Sequence, residues 1–229
     1  MPFELDIVYL LILIAVSLFF IIGLRALQKY ALAELSKTLY EKNDPERYMQ
    51  MLNSRFLVMV FRRNTIAMLR LDGALMSGSA DTVWDTCSLL MTIKLRQSER
   101  LNWYQKAMSF AVTISDNKRA KEYLDLIDDF LEKESDQALQ DVRTEAHLLY
   151  GIYIKKDTSL IPILESSRTT CKDSQLGLIL YRLAKLYHYA GDRAKSIERL
   201  DAAIGHLDNS PWLDVAKRAR IDTVVLESE

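Results

Sequence analysis

The amino-acid sequence predicts an all-α protein with one N-terminal transmembrane helix followed by stacked antiparallel helical hairpins. Three observations predict this class: an uncharged apolar run near the N-terminus, a scarcity of turn residues, and an alternation of long helical runs with short polar breaks. The chain has only 7 glycines and 4 prolines, too few for the many turns of a β-sandwich or barrel. We expect a short tail at 1–6, a transmembrane helix at 7–24, a helical juxtamembrane linker at 25–43 and a helical domain at 44–229.

The transmembrane helix is predicted by 18 consecutive residues without a charged side chain, Ile7 to Leu24. At about 1.5 Å per residue such a helix is roughly 27 Å long, close to the thickness of bilayer hydrocarbon. The competing interpretation is a cleaved signal peptide. Residues 1–6 carry no basic residue, and residues 19–22 (FFII) offer no small-residue cleavage site. We therefore expect an uncleaved anchor, with residues 7–24 in the lipid bilayer.

The orientation of the anchor is predicted by its flanks. Glu4 and Asp6 precede the span, and only basic residues and neutral ones flank its other end up to Ala33. Because basic flanks stay on the cytoplasmic side, we expect a single-pass cell-membrane protein with its N-terminus outside and its C-terminal domain in the cytoplasm. The reversed topology stays open as the alternative, since single anchors do not always follow this rule. The basic residues that follow the span are Arg25, Lys29, Lys37, Lys42 and Arg47.

The linker should continue the membrane helix through Tyr40, because its apolar residues keep a helical spacing, and should end at Asn43-Asp44-Pro45. Beyond it, four short polar breaks contain Gly78, Asp116, Asp157 and Gly191, which are separated by 38, 41 and 34 residues. This is the spacing of helix-pair repeats, although looser than a strict array. The helices that we expect are 44–53, 55–76, 80–95, 97–114, 118–133, 136–155, 159–168, 174–190, 193–206 and 211–226, with Asp44, Asp116 and Asp192 as N-caps.

The clearest unit is 177–210, GLILYRLAKLYHYAGDRAKSIERLDAAIGHLDNS. It resembles a tetratricopeptide repeat, and the matching residues are Leu183, Ala184, Tyr187, Gly191, Ile197, Leu200 and Ala203. Leu180, Ser196 and the late Pro211 depart from the usual pattern. The hairpins at 55–95, 97–133 and 136–168 match only in length and helix pairing. The resemblance implies a tetratricopeptide-like α-solenoid in which Tyr187 fills the hairpin interior and the run Pro211–Leu226 is a capping helix.

Several functional classes are disfavoured by what the sequence lacks. It contains no phosphate-binding loop, nucleophile elbow, zinc-protease motif or dinucleotide fingerprint. Cys87 and Cys171 form no CxxC pair, and no histidine has a second histidine one turn away. We therefore expect no enzyme activity, cofactor, metal or small-molecule substrate. The chain after residue 24 has 30 basic and 29 acidic residues, so no nucleic-acid partner is expected either.

A protein-binding groove is the function that the resemblance implies. The family's groove positions fall on Tyr181, Lys185, His188 and Tyr189, an aromatic and basic lining suited to an extended peptide with some negative charge. We expect these side chains to be exposed, so that substituting Tyr181 and Lys185 costs little stability. The leading hypothesis is a membrane-anchored scaffold or adaptor that binds protein partners at the cytoplasmic face. The alternative is an extracytoplasmic chaperone or assembly factor with reversed topology.

Overall fold

The computed structural model describes residues 2–207 and 211–228. Every regular element in these ranges is a helix, and they contain no β-strand. The chain divides into two compact units, Met1–Trp103 and Tyr104–Glu229. The predicted all-α class is therefore confirmed for the described residues.

The first unit begins with a long helix, α1 (Pro2–Ser36), which a π-helical turn (Lys37–Glu41) extends. Side chains from Tyr9 to Gly23 are all exposed, and the helix is long and apolar enough to cross a membrane. As predicted, the helix continues through the linker and ends before Asp44. The Asp44 carboxylate accepts a hydrogen bond from the Arg47 backbone N–H at 2.9 Å and so caps the next helix.

Four helices complete most of the first unit: α2 (Pro45–Leu52), α3 (Arg55–Val60), α4 (Arg63–Ser77) and α5 (Ala80–Met91). The predicted single helix 55–76 is wrong, because the chain turns to extended geometry at Phe61 and Arg62. The Val60 carbonyl, which would bond to a later N–H in a continuous helix, instead accepts a hydrogen bond from Gln28 Nε2 at 2.8 Å. A tertiary contact with α1 thus takes the place of an intrahelical bond.

The core of the first unit joins the C-terminal part of α1 to α2, α3 and α4. Leu35, Tyr48 and Leu57 are buried together in it. The Tyr48 hydroxyl donates a hydrogen bond to the Leu69 carbonyl at 3.0 Å. α4 approaches α2 closely at Gly73, where an added Cβ would lie 2.8 Å from the Tyr48 ring. α4 therefore begins just after the contact between Gln28 and α3, and its later turns pack on α2, which follows the end of α1.

The second unit starts within α6 (Gln97–Thr113) and continues with α7 (Asn117–Leu131), α8 (Gln137–Leu149) and α9 (Ile161–Ser167). A π-helical turn (Tyr150–Ile154) follows α8, and a 3-10 turn (Thr158–Leu160) precedes α9. The predicted N-cap Asp116 is confirmed, because its carboxylate accepts a bond from the Arg119 N–H at 3.0 Å. α7 packs on α8, where Asp128 bonds to Arg143 and His147 at 2.7 and 2.9 Å.

The second unit ends with a packed hairpin, α10 (Asp173–Tyr189) and α11 (Arg193–Ile204), followed by α12 (Pro211–Ile221) and α13 (Val225–Ser228). Gly191 turns the hairpin with a φ of 77°, and Asp192 caps α11 as predicted. Ala184 and Ala203 are fully buried. Ser196, where the repeat family usually has alanine, donates its hydroxyl to the Ala184 carbonyl at 2.8 Å.

The predicted terminal helix 211–226 is two helices instead of one. α12 ends at Ile221, and the Asp222 carboxylate accepts a hydrogen bond from the Val224 N–H at 3.0 Å, which starts a new turn. α12 packs on α11, and Ala216, Ala219 and Leu226 are fully buried with residues of the hairpin. The segment therefore covers the apolar side of the last hairpin through α12 and α13 together.

Candidate partner-binding site

The four predicted groove residues all lie on α10, but two of them are core residues. Tyr181 is 0% exposed and Lys185 is 2% exposed, so the prediction that both are exposed is wrong. The Tyr181 ring lies against Trp212 of α12, with 5.5 Å between the ring centroids. The π-helical turn after α8 brings Tyr153 to Lys185. Both side chains are therefore covered by elements that flank the hairpin.

Lys185 is buried among aromatic rings. Its Nζ lies 4.8 Å from the centre of the Tyr153 ring and 5.8 Å from that of Tyr189. The ammonium group of Lys156 also contacts Tyr189, and its Nζ lies 4.8 Å from the centre of that ring. Since the face of an aromatic ring carries partial negative charge, the rings of Tyr153 and Tyr189 stabilise the buried ammonium of Lys185. Lys156 itself stays exposed.

His188 and Tyr189 are half-buried and contact the C-terminal helix α13. The Tyr189 hydroxyl donates a hydrogen bond to the Leu226 carbonyl at 3.1 Å, and His188 Nε2 lies 3.2 Å from Glu227 Oε1. Burial, with the nearby Tyr153 and Glu227, raises the pKa of Tyr189 to about 12, so this hydroxyl stays protonated at neutral pH. The predicted residues are indeed close together, but the chain's own C-terminal segment contacts the face that they form.

Tyr187, predicted for the hairpin interior, is half-buried between α9 and α11. Its hydroxyl donates a hydrogen bond to Glu165 Oε1 at 3.1 Å. Lys195 Nζ lies 5.3 Å from the centre of its ring. Arg199 Nε donates to the same Glu165 oxygen at 3.0 Å. Tyr187 thus joins α9 to the last hairpin, a position that agrees with a residue filling the gap between neighbouring helix pairs.

An open cavity of about 320 Å³ lies elsewhere in the second unit, between α6, α8, α10 and α12. Its apolar walls are contributed by Val112, Leu149, Leu178 and Trp212. Ser109 and Thr113 of α6 are exposed at its rim. Such a mostly apolar concavity with a few polar groups is typical of a site that takes a side chain or small group from a binding partner.

The polar wall of this cavity is an ion pair between the buried Arg182 and the half-exposed Glu145. Arg182 is 6% exposed, and its two terminal nitrogens donate to the two carboxylate oxygens of Glu145. Burial lowers the pKa of Arg182, but the hydrogen bonds and charge of Glu145 outweigh it and the pKa is raised. Arg182 Nε has no hydrogen-bond partner among the described residues. The pair therefore presents a fixed, charged wall beside an apolar pocket.

Sequence reasoning missed Arg182, Glu145 and Trp212 as site residues. Arg182 interrupts the apolar run around Tyr181 and Leu183, which is a visible signal of a buried or functional charge. Nothing in the sequence, however, brings Glu145 next to it, because 37 residues separate the two. Among the described residues, no group of three or more His, Cys, Asp or Glu side chains could hold a metal ion.

The fold defines an all-helical protein of packed helix pairs with one N-terminal helix able to cross a membrane. No protein-family model, no curated protein and no solved structure matches the chain.

Proposed function

We propose that this chain is a single-pass membrane-anchored scaffold that binds protein partners through its helical domain at the cytoplasmic face. The exposed apolar surface of α1 from Tyr9 to Gly23 is the observation that carries this proposal. Burying one large apolar side chain is worth about 1.5–3 kcal/mol. A helix that leaves so many of them uncovered by its own protein needs an apolar environment, and a lipid bilayer provides one of matching thickness.

The tetratricopeptide-like α-solenoid is part of the same proposal. Its support is the packed α10–α11 hairpin, with its small buried residues Ala184 and Ala203 and its Gly191 turn. The pairs α4–α5 and α7–α8 also pack as antiparallel neighbours joined by short connections. Helical-repeat stacks bind partners on surfaces formed by successive helix pairs.

We place partner binding at the cavity beside Arg182 and not at the predicted groove on α10. An apolar anchor from the partner would fill the space between Leu149, Leu178 and Trp212. A polar group next to that anchor would bond to the half-exposed Glu145 carboxylate. Burial of one apolar anchor with a few oriented polar contacts is how protein interfaces obtain most of their binding energy.

The cytoplasmic orientation is supported by the basic residues that follow the span, from Arg25 to Arg47. The reversed topology would make the chain an extracytoplasmic assembly factor instead. A reporter that is active only outside the cytoplasm, fused after Glu229, separates the two. We expect it to stay silent, and an active reporter would favour the alternative.

Site-specific photocrosslinking of the full chain in its native membranes tests the binding site. A photoreactive amino acid at Ser109 or Thr113, both exposed at the cavity rim, should yield the same discrete crosslinked protein from both positions. The matched control is Lys121, an exposed residue of α7 that does not line the cavity. An identical crosslinking pattern from Lys121, or none from either rim position, would contradict the proposal.

A further inference from the structure

The short helix α3 exposes apolar side chains on the face that points away from its own core. Phe56, Val58 and Met59 are 49%, 59% and 85% exposed, whereas Leu57 and Val60 are buried. A helix of this kind is apolar on both sides, which is typical of a surface that a second apolar phase covers. The first unit therefore carries an apolar patch in addition to α1.

The position of α3 along α1 indicates which phase covers the patch. Gln28 of α1 bonds to the Val60 carbonyl at 2.8 Å, and Leu24 packs against the core that contains Leu57 and Val60. Gln28 is four residues, about 6 Å, beyond Leu24, the last residue of the uncharged segment. α3 thus lies beside α1 where that helix leaves its apolar segment, which is where lipid headgroups would lie when α1 spans a bilayer.

The patch is bordered by positive charge. Arg62, Arg63, Lys94 and Arg96 are exposed and line a cleft at the end of α3. None of these four side chains makes an ion pair with another residue in the described part of the chain. The nearby carboxylate of Glu99 accepts hydrogen bonds from Asn64 Nδ2 and from the Arg96 backbone N–H, each at 2.8 Å. The cleft is therefore a concave site with an excess of positive charge, suited to anionic phosphate groups.

We propose that α3 is an interfacial helix, which inserts Phe56, Val58 and Met59 among the headgroups of the bilayer while the adjoining basic cleft binds anionic lipid phosphates. This inference rests on the proposed membrane anchorage of α1. An apolar face inserted near the acyl boundary, with basic residues beside it, is the arrangement by which amphipathic helices bind membrane surfaces. The second contact would fix the tilt and rotation of the first unit that a single helix leaves free.

The experiment is depth-dependent fluorescence quenching of the full chain in vesicles of equal parts phosphatidylcholine and phosphatidylglycerol. The variant Met59→Cys, in a Cys171→Ser background, carries an environment-sensitive fluorophore, and a spin label on the lipid headgroup is the quencher. The buried Cys87 is retained. The chain that carries only Cys171→Ser measures the background labelling of Cys87. We expect the fluorophore at position 59 to lose most of its emission. Val58→Cys provides a second reading if the first variant does not fold.

Met76→Cys is the matched control, since Met76 is an exposed methionine of the same unit. It lies about 20 Å along α4 from Arg63 and one turn after Gly73, which packs on Tyr48 beyond the end of α1, so its fluorophore should keep its emission. Phe19→Cys, in the middle of the apolar segment and probed with a spin label deep in the acyl chain, tests the anchor itself. Circular dichroism of each labelled chain verifies that the helix content is unchanged.

The outcomes separate the two proposals. Quenching at positions 19 and 59 but not at 76 supports the interfacial helix. Quenching at 19, with position 59 as bright as position 76, overturns it and leaves the anchor standing; the patch would then be free for a protein. Absence of quenching at 19 overturns the anchor and this inference together. Quenching at position 59 should be weaker in vesicles of pure phosphatidylcholine than in vesicles that contain phosphatidylglycerol. The double substitution Arg62→Gln with Arg63→Gln should remove this difference between the two lipid compositions. Equal quenching of the arginine-containing chain in both kinds of vesicle would show that the basic cleft does not bind anionic lipid phosphates.

Discussion

At the scale of single residues, Lys185 and Tyr181 are buried by rings that other elements bring to α10. A lysine on a helix is exposed in most proteins, and the family position of Lys185 also suggested an open groove. The structure buries it because Tyr153 supplies a ring 4.8 Å away. Tyr181 is buried for a similar reason, the contact with Trp212. Both covering residues are distant in sequence, so neither the spacing nor the composition of α10 could indicate them.

Tyr181→Ala should lower the free energy of unfolding by about 3–5 kcal/mol, the range for truncating a large buried aromatic side chain. This reverses the sequence-based expectation that the position tolerates substitution. Denaturant unfolding followed by circular dichroism measures the change. Ile163→Ala, which removes an exposed apolar side chain from α9 in the same unit, should change stability by less than about 0.5 kcal/mol. Equal midpoints for Tyr181→Ala and the unmodified chain would show that the ring is not part of the core.

At the scale of elements, local chemistry predicted the turns and caps well. Asp44, Asp116 and Asp192 each cap the helix that the sequence indicated, because a cap depends on residues only two or three positions apart. The break at Phe61 and Arg62 was missed because no glycine or proline marks it. It depends on the bond between Gln28 and the Val60 carbonyl, which joins residues 32 positions apart.

Two glycines of the last hairpin should respond in opposite directions to the same substitution. A Cβ at Gly177 would lie 2.9 Å from Leu207 Cγ and 3.0 Å from the His206 carbonyl carbon. Gly177→Ala should therefore destabilise the hairpin by about 1 kcal/mol, because a strain of about 1–3 kcal/mol outweighs a helix-propensity gain of about 1 kcal/mol. At Gly205 the nearest atom is 3.5 Å away, so Gly205→Ala should be neutral or stabilising by up to about 1 kcal/mol. Thermal unfolding of the two variants compares them, and a Gly177→Ala chain at least as stable as Gly205→Ala would rule out this close approach.

At the scale of the whole molecule, the sequence predicted the apolar helix and the helical class because both depend on continuous local patterns. It did not predict that α3 lies beside the end of the apolar segment, or that Arg182 and Glu145 form the wall of a cavity. Both arrangements depend on which helices pack together, and the periodicity of a single helix does not specify its neighbours. The two surfaces proposed for function, one for lipid and one for protein, therefore became visible only in three dimensions.

Membrane anchorage by α1 is the central claim, and alkaline carbonate extraction of membranes containing the full chain tests it most directly. The unmodified chain should remain in the membrane pellet. A variant with Leu13→Arg and Phe19→Arg should move to the supernatant, because two arginines at the middle of a span cost about 6 kcal/mol on insertion scales. Ile163→Arg adds the same kind of charge at an exposed apolar position of α9 and should leave the chain in the pellet. Release of the unmodified chain by carbonate would contradict the account.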